Sequence, residues 1–257
     1  MSVLARERRE RVEILRLDRP KSRNAMSPEL SKAIEDALDD VETDPDVWAV
    51  VLTGTGPVFC AGADLKVIAS GGSIEIETER GGFGGFVQRE FSKPVIAAVN
   101  GHALAGGFEL VLACDLVVAA EGATFGLPEV KRGLLAAAGG PIRLAKRVPL
   151  ATALEIVMTG DAITAARAHA LGLVNRVVPA DRVVDEALAL AARIGEASPA
   201  AVRGARRLVR RSVDLTEPEA WALNRTIMGE VFASGDSLEG ASAFIEKRTP
   251  KWSPPES

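Results

Sequence analysis

Residues 93–115 constrain the fold more than any other part of the chain. They read Lys-Pro-Val-Ile-Ala-Ala-Val-Asn-Gly-His-Ala-Leu-Ala-Gly-Gly-Phe-Glu-Leu-Val-Leu-Ala-Cys-Asp. The first apolar run, 94–99, has no polar alternation, which marks a strand buried on both faces, as in a parallel sheet covered by helices. A glycine turn follows, and Gly106 and Gly107 open an apolar helix reaching about Cys114. Its one charged residue, Glu109, sits in the first turn. A carboxylate in such surroundings is costly unless something there uses it.

Other segments extend the pattern. Trp48-Ala-Val-Val-Leu-Thr and Leu116-Val-Val-Ala-Ala are further continuous apolar strands, and Val12-Glu-Ile-Leu-Arg-Leu alternates well enough to be a strand. Between the 12–17 and 48–53 runs lies a helix: Ser27 caps it, Pro28 suits its first position, and Leu30, Ala33, Ile34, Ala37, Leu38 and Val41 form its apolar stripe. Strands alternating with helices define an α/β fold class with parallel strands. The Gly- and Ser-rich residues 70–85 read as a mobile surface loop. After about Gly140 the pattern becomes helical, over 154–159, 165–171, 183–194 and 200–210. This divides the chain into a core, 1–196, and a helical C-terminal region, 197–257. No internal repeat of fixed period is present.

Composition removes several classes of function. At 257 residues the chain can bury roughly three quarters of its unfolded surface. Its 47% hydrophobic and 4% aromatic content, with no tyrosine, points to a compact aliphatic core. A net charge of -4 gives no long-range attraction to nucleic acid or an anionic membrane, so neither is expected as a partner. The one basic run, 203–211, reads as a solvated helix face rather than a phosphate-binding patch.

Cys60, Cys114, His102 and His169 show no metal-ligand spacing, and the two cysteines read as small buried residues of a reducing compartment. His102 sits in the glycine turn with no acidic or hydroxyl partner near it in sequence, His169 lies in an alanine-rich helix, and neither is expected to be catalytic. The N-terminal residues carry no apolar signal region, and no run approaches the ~20 apolar residues that span a bilayer. A cytoplasmic location is expected. Gly54-Thr-Gly lacks the third glycine of a dinucleotide fingerprint, residues 101–107 lack the Lys-Ser/Thr ending of a P-loop, and no Gly-x-Ser-x-Gly occurs.

A second glutamate, Glu129, follows Pro128 in Phe125-Gly-Leu-Pro-Glu. Two carboxylates set beside turns in apolar sequence suggest acid and base chemistry. Five segments place them in a wider pattern: Phe59-Cys-Ala-Gly-Ala-Asp-Leu, Asn100-Gly-His-Ala-Leu-Ala-Gly-Gly-Phe-Glu-Leu, Cys114-Asp-Leu, Phe125-Gly-Leu-Pro-Glu and Phe244-Ile-Glu-Lys-Arg-Thr-Pro. Their order and spacing, over almost the whole chain, resemble the enoyl-CoA hydratase (crotonase) family.

The resemblance implies a core of ββα turns wound into a spiral, with a C-terminal helical trimerisation region and assembly as a homotrimer or a hexamer of two trimers. It implies an acyl-CoA thioester partner, with no metal and no cofactor beyond the coenzyme A of the substrate. The thioester oxygen would be held by the backbone N–H groups of Ala63 and Gly106, a reading that the helix start at Gly106 supports on physical grounds. Glu109 and Glu129 align with the two glutamates that hydrate the double bond, Glu109 as water-positioning base and Glu129 as proton donor. CoA and substrate contacts fall on Lys21, Arg23, Ala25, Ala61, Asp64, Leu65 and Gly107, with Lys247 reaching a neighbouring subunit's site.

The implied reaction is addition of water to a trans-2-enoyl-CoA, giving a 3-hydroxyacyl-CoA in acyl-lipid metabolism. The same fold also hosts isomerases, other dehydratases, hydrolases and decarboxylases, and a non-catalytic acyl-CoA binding protein is the alternative of another class. Retention of both glutamates favours the hydratase. Two departures concern the acyl pocket: residues 133–143 read Gly-Leu-Leu-Ala-Ala-Ala-Gly-Gly-Pro-Ile-Arg where many hydratases have a Pro-Gly loop and then Gly-Gly-Thr-Gln-Arg. Leu127 stands where a polar residue is frequent.

Overall fold

The computed structural model describes residues 2–69 and 76–253, and the part of the expected loop at 70–75 lies outside them. A six-stranded sheet forms the centre, in the order β1 (Leu4–Arg9), β2 (Val12–Leu17), β3 (Ala49–Gly54), β7 (Val95–Val99), β9 (Leu116–Ala120) and β12 (Arg176–Val178). All its pairs are parallel except the β1–β2 hairpin. Every residue of β3 and β7 is buried, as their unbroken apolar sequences require. β1 has no apolar periodicity and was not legible as a strand. Its exposed arginines and glutamate suit an edge that must not pair with another chain.

A second sheet of very short strands runs alongside, ordered β11 (Ile163–Thr164), β10 (Thr124–Gly126), β8 (His102–Leu104) and β4 (Val58–Cys60). The two sheets are threaded alternately. The chain passes from β3 to β4 and then α2 (Leu65–Ala69). It passes from β7 to β8 and then α3 (Gly106–Ala113), and from β9 to β10 and then a 3₁₀ turn, Pro128–Arg132. These are three turns of a ββα spiral. Their first strands begin at 49, 95 and 116, so the structural repeat has no fixed sequence period.

Residues 76–87 correct the surface-loop expectation. Ile76 is buried, β5 (Glu77–Thr78) pairs with β6 (Gly82–Phe83), and residues 81–87 are buried. Helix α1 (Pro28–Thr43) matches its predicted cap and stripe: Ser27 Oγ accepts from the Leu30 N–H at 3.3 Å, and Leu30, Ile34, Ala37, Leu38 and Val41 are buried. The remaining helices are α4 (Gly140–Leu144), α5 (Leu150–Thr159), α6 (Ala165–Ala170), α7 (Val183–Gly195), α8 (Pro199–Ser212), α9 (Glu217–Ala233) and α10 (Asp236–Glu246). The stretch after Gly140 is therefore not helical alone, since β12 joins the main sheet beside β9.

Helix α7 packs across β3, β7 and β9, whereas α8, α9 and α10 pack chiefly on one another. The basic run on α8 is in part the expected solvated face, with Arg207, Arg210 and Arg211 exposed, and in part a clamp. Arg206 and Arg210 both bond to Asp115 at 2.7 Å, which fixes α8 to the strand-end before β9, and Arg207 pairs with Glu230 at 2.8 Å. Val209, within the same run, is exposed.

Candidate active site

The spiral brings three chain segments to one edge, each just after a short strand of the second sheet. Ala63 follows β4, Gly106 follows β8, and Glu129 follows β10 in its 3₁₀ turn. Gly62 faces the second of these segments so closely that a Cβ there would stand 3.0 Å from the Gly106 nitrogen and 2.7 Å from the Ala105 Cβ. The backbone around Ala63 leaves its own N–H free: Met26 donates to the Gly62 carbonyl and Asp64 donates to Met26, passing over Ala63. Gly106 is the first residue of α3, so its N–H has no acceptor within the helix. Among the described residues neither N–H is satisfied by the protein.

Local strain sets the direction of the second donor. Ala105 holds φ 53 and ψ -131, a conformation that costs a residue with a Cβ about 1–3 kcal/mol and persists only where its surroundings enforce it. Gly106 and Gly107 are dictated by close approach: a Cβ on Gly106 would enter the Phe83 ring at 2.3 Å, and one on Gly107 would meet the Cys60 carbonyl at 2.1 Å.

Glu109 occupies the first turn of α3, where all eight residues are buried, and is itself only 3% exposed. Its Oε1 accepts the Gly140 N–H at 2.8 Å, since α4 packs on α3. Burial pushes its pKa up to about 7, the nearby Glu129 charge adds to the rise, and N–H donors together with Arg143 oppose it. Glu129 is half-buried, its Oε2 has no hydrogen-bond partner among the described residues, and burial raises its pKa as well. The two carboxylates thus influence each other while each keeps unused acceptor capacity. Helix α5 backs the 3₁₀ turn that carries Glu129.

The predicted contact residues divide. Lys21 and Arg23 are exposed beside Ala61, whose N–H donates to the Arg23 carbonyl at 3.1 Å. Ala25 is buried, Leu65 is exposed, and Gly107 lies in the α3 start. Asp64 is already engaged with Arg19 at 3.1 Å and with the Lys66 N–H, so its carboxylate braces the loop. Lys247 caps α10, and no bond among the described residues ties it to the strand-end loops.

Sequence reasoning passed over three bracing residues. Asn24 is fully buried and bonds to Arg19, Thr55 and Val58, Asn100 bridges Gly54 and Gly56, and Arg143 joins two loops. Each also bonds to backbone groups more than thirty residues away, which leave no local signal. His102 does acquire a hydroxyl partner, Thr124 Oγ1 at 2.8 Å, delivered by the neighbouring strand. Cys60 and Cys114 are buried, and burial raises each pKa to about 12. No group of three or more His, Cys, Asp or Glu among the described residues could hold a metal ion.

A two-sheet ββα spiral carrying an unsatisfied N–H pair beside one buried and one half-buried carboxylate defines the crotonase class of fold. The Enoyl-CoA hydratase/isomerase family profile matches residues 7–255, and the chain belongs to that family. A solved enoyl-CoA hydratase of Mycobacterium tuberculosis superposes with a TM-score of 0.94 at 43% identity, covering 99% of this chain and all of the other. The 2,3-dehydroadipyl-CoA hydratase of Escherichia coli is 39% identical over 97% of this chain and 98% of its own length. A carnitinyl-CoA dehydratase of Proteus mirabilis is 39% identical over 92% of both chains.

Proposed function

We propose that this chain is a hydro-lyase that adds water reversibly across the double bond of a trans-2-enoyl-CoA to give a 3-hydroxyacyl-CoA. The observation that carries the reading is the buried Glu109 and the half-buried Glu129, each with unused acceptor capacity, at the edge where the Ala63 and Gly106 N–H groups have no partner among the described residues. Two N–H donors on a thioester oxygen make the β-carbon electrophilic and stabilise the enolate formed by attack. Glu109 takes a proton from water as the oxygen adds to the β-carbon, and Glu129 delivers a proton to the α-carbon. In the reverse dehydration the roles exchange. No electron transfer is needed, so the reaction calls for no redox cofactor.

Lys21 and Arg23 are exposed cations with no acidic partner among the described residues, at the loop where the CoA phosphates would lie, and the backbone at Ala61, Ala25 and Leu65 flanks the same loop. The division into a catalytic core, 1–196, and a trimerisation region, 197–257, is supported by the self-contained packing of α8–α10. Trp221, Phe232, Leu238, Phe244 and Ile245 are exposed there, an apolar area that suits a homotrimer or a dimer of trimers. No helix among the described residues is long and apolar enough to cross a membrane.

The test is loss of the conjugated thioester absorbance with crotonyl-CoA and longer 2-enoyl-CoAs. Binding without turnover across that panel would overturn the assignment.

A further inference from the structure

Arg143 is a guanidinium set behind the acid pair with no carboxylate bonded to it among the described residues. Its Nη1 donates to the Ala138 carbonyl at 3.1 Å and its Nη2 to the Val87 carbonyl. Both acceptors belong to segments that shape the site. Ala138 lies in the loop whose Gly140 N–H holds Glu109, and Val87 lies in the buried 81–87 segment whose Phe83 packs on Gly106. Gly139 admits this arrangement, since a Cβ there would stand 2.2 Å from Arg143 Nη1. One side chain therefore ties the wall at Phe83 to the loop that grips the catalytic carboxylate.

A guanidinium taken from water and given only carbonyl partners is an expensive choice unless a negative charge lies within reach. Burial weakens Arg143's hold on its proton, as do the charges of Arg210 and Arg147, and Glu109 supplies the opposing attraction. That attraction is mutual. The groups facing Glu109 are Glu129 from the 3₁₀ turn, the Gly140 and Ala138 N–H groups from the 138–140 loop, and Arg143 from α4. Arg147 is occupied by the Cys114 carbonyl, and Arg210 by Asp115 and the Ala113 carbonyl.

We propose that Arg143 is the positioning residue for Glu109: it clamps the loop that grips the carboxylate and supplies the positive charge favouring the form that can take a proton from water. The proposal rests on the hydratase reading for its kinetic consequence and on geometry for the rest.

The experiment compares wild type, Arg143→Gln and Arg143→Lys as full-length proteins, by kcat/KM for crotonyl-CoA hydration across pH 5–9. Removing the charge in Arg143→Gln moves the acidic limb upward, so the rate well below the limb falls by a larger factor than the rate on the plateau. Arg143→Lys keeps the charge but loses the two-carbonyl fork: its acidic limb stays in place while its plateau rate falls.

A pH-independent loss in Arg143→Gln, with the limb unmoved, would reduce Arg143 to a structural brace and overturn the proposal. If Arg143→Gln does not fold, Arg143→Lys decides: a wild-type plateau overturns the clamp, and a raised limb overturns the charge role. Should wild type hydrate no enoyl-CoA, the hydratase reading falls separately. Carbon-13 NMR titration of the glutamate carboxyls, with Glu109 assigned by its loss in Glu109→Gln, then reads the same upward shift without turnover.

Discussion

The Gly140 N–H donates to Glu109 Oε1 over 2.8 Å, so the carboxylate on the first turn of α3 is held by a loop 31 residues further along the chain. That bond uses one acceptor site and leaves the rest of the carboxylate for chemistry. It also makes the approach of Gly140 essential, because a Cβ there would stand 2.9 Å from the same oxygen.

Replacing either acid by its amide removes one proton transfer while keeping shape. Glu109→Gln and Glu129→Gln are each expected to lower kcat for hydration by about a hundred- to ten-thousand-fold. Affinity for a saturated acyl-CoA, measured by calorimetry, should change little. Unchanged turnover in both variants would remove these residues from the mechanism.

Acid–base function makes the rate depend on pH. Water activation requires ionised Glu109, whose pKa is pushed up to about 7, so kcat/KM should fall below about pH 7, by roughly tenfold per unit. Glu129 must carry a proton to deliver, and its raised pKa keeps that form available further toward neutrality, so the rate should fall again on the alkaline side. A profile flat from pH 5 to 9 would contradict both assignments.

The same shift affects stability. The folded state binds the Glu109 proton more tightly than the unfolded chain, so the stabilisation is complete below about 4.5 and lost as pH rises through about 7. Glu109→Gln should therefore be more stable than wild type at pH 8, by at most ~3 kcal/mol, with the two converging toward pH 4.5. Urea denaturation at the two pH values measures the difference, and a less stable amide at pH 8 would count against a costly buried charge.

Close approach at the N–H pair can be tested by relief. Gly106→Ala drives a Cβ into the Phe83 ring and should displace the donor, costing roughly 3 kcal/mol of barrier lowering. Adding Phe83→Leu should recover part of the lost kcat. No recovery would mean that the Phe83 contact is not what excludes a side chain there.

Asn24 predicts a purely structural effect. It is fully buried and bonds to three backbone groups that hold the loop next to Ala61. Asn24→Ala should cost about 2–4 kcal/mol, since the stranded groups lose their partners. Thermal denaturation would register this, and a neutral result would show that the loop finds other partners.

Much of this was legible in the residues themselves. Ser27 and Pro28 with their stripe determined α1, the unbroken apolar runs determined β3, β7 and β9, and the glycines before Phe108 determined the start of α3. The five motif segments carried the family. These are local signals, written in capping, periodicity and backbone freedom, so a single strand of sequence can hold them. The rest was decided only when the chain closed on itself. The two- and three-residue strands of the second sheet are too short to show a period, and β1 exists because β2 pairs with it. The burial of Ile76 and of residues 81–87, the Asp115 clamp on α8, the Gly140 bond to Glu109 and the Arg143 bond to Val87 all depend on residues far apart in sequence. Sequence alone named the two acids. Tertiary structure, by burying them together and choosing which peptide groups and charges face them, set their proton affinities.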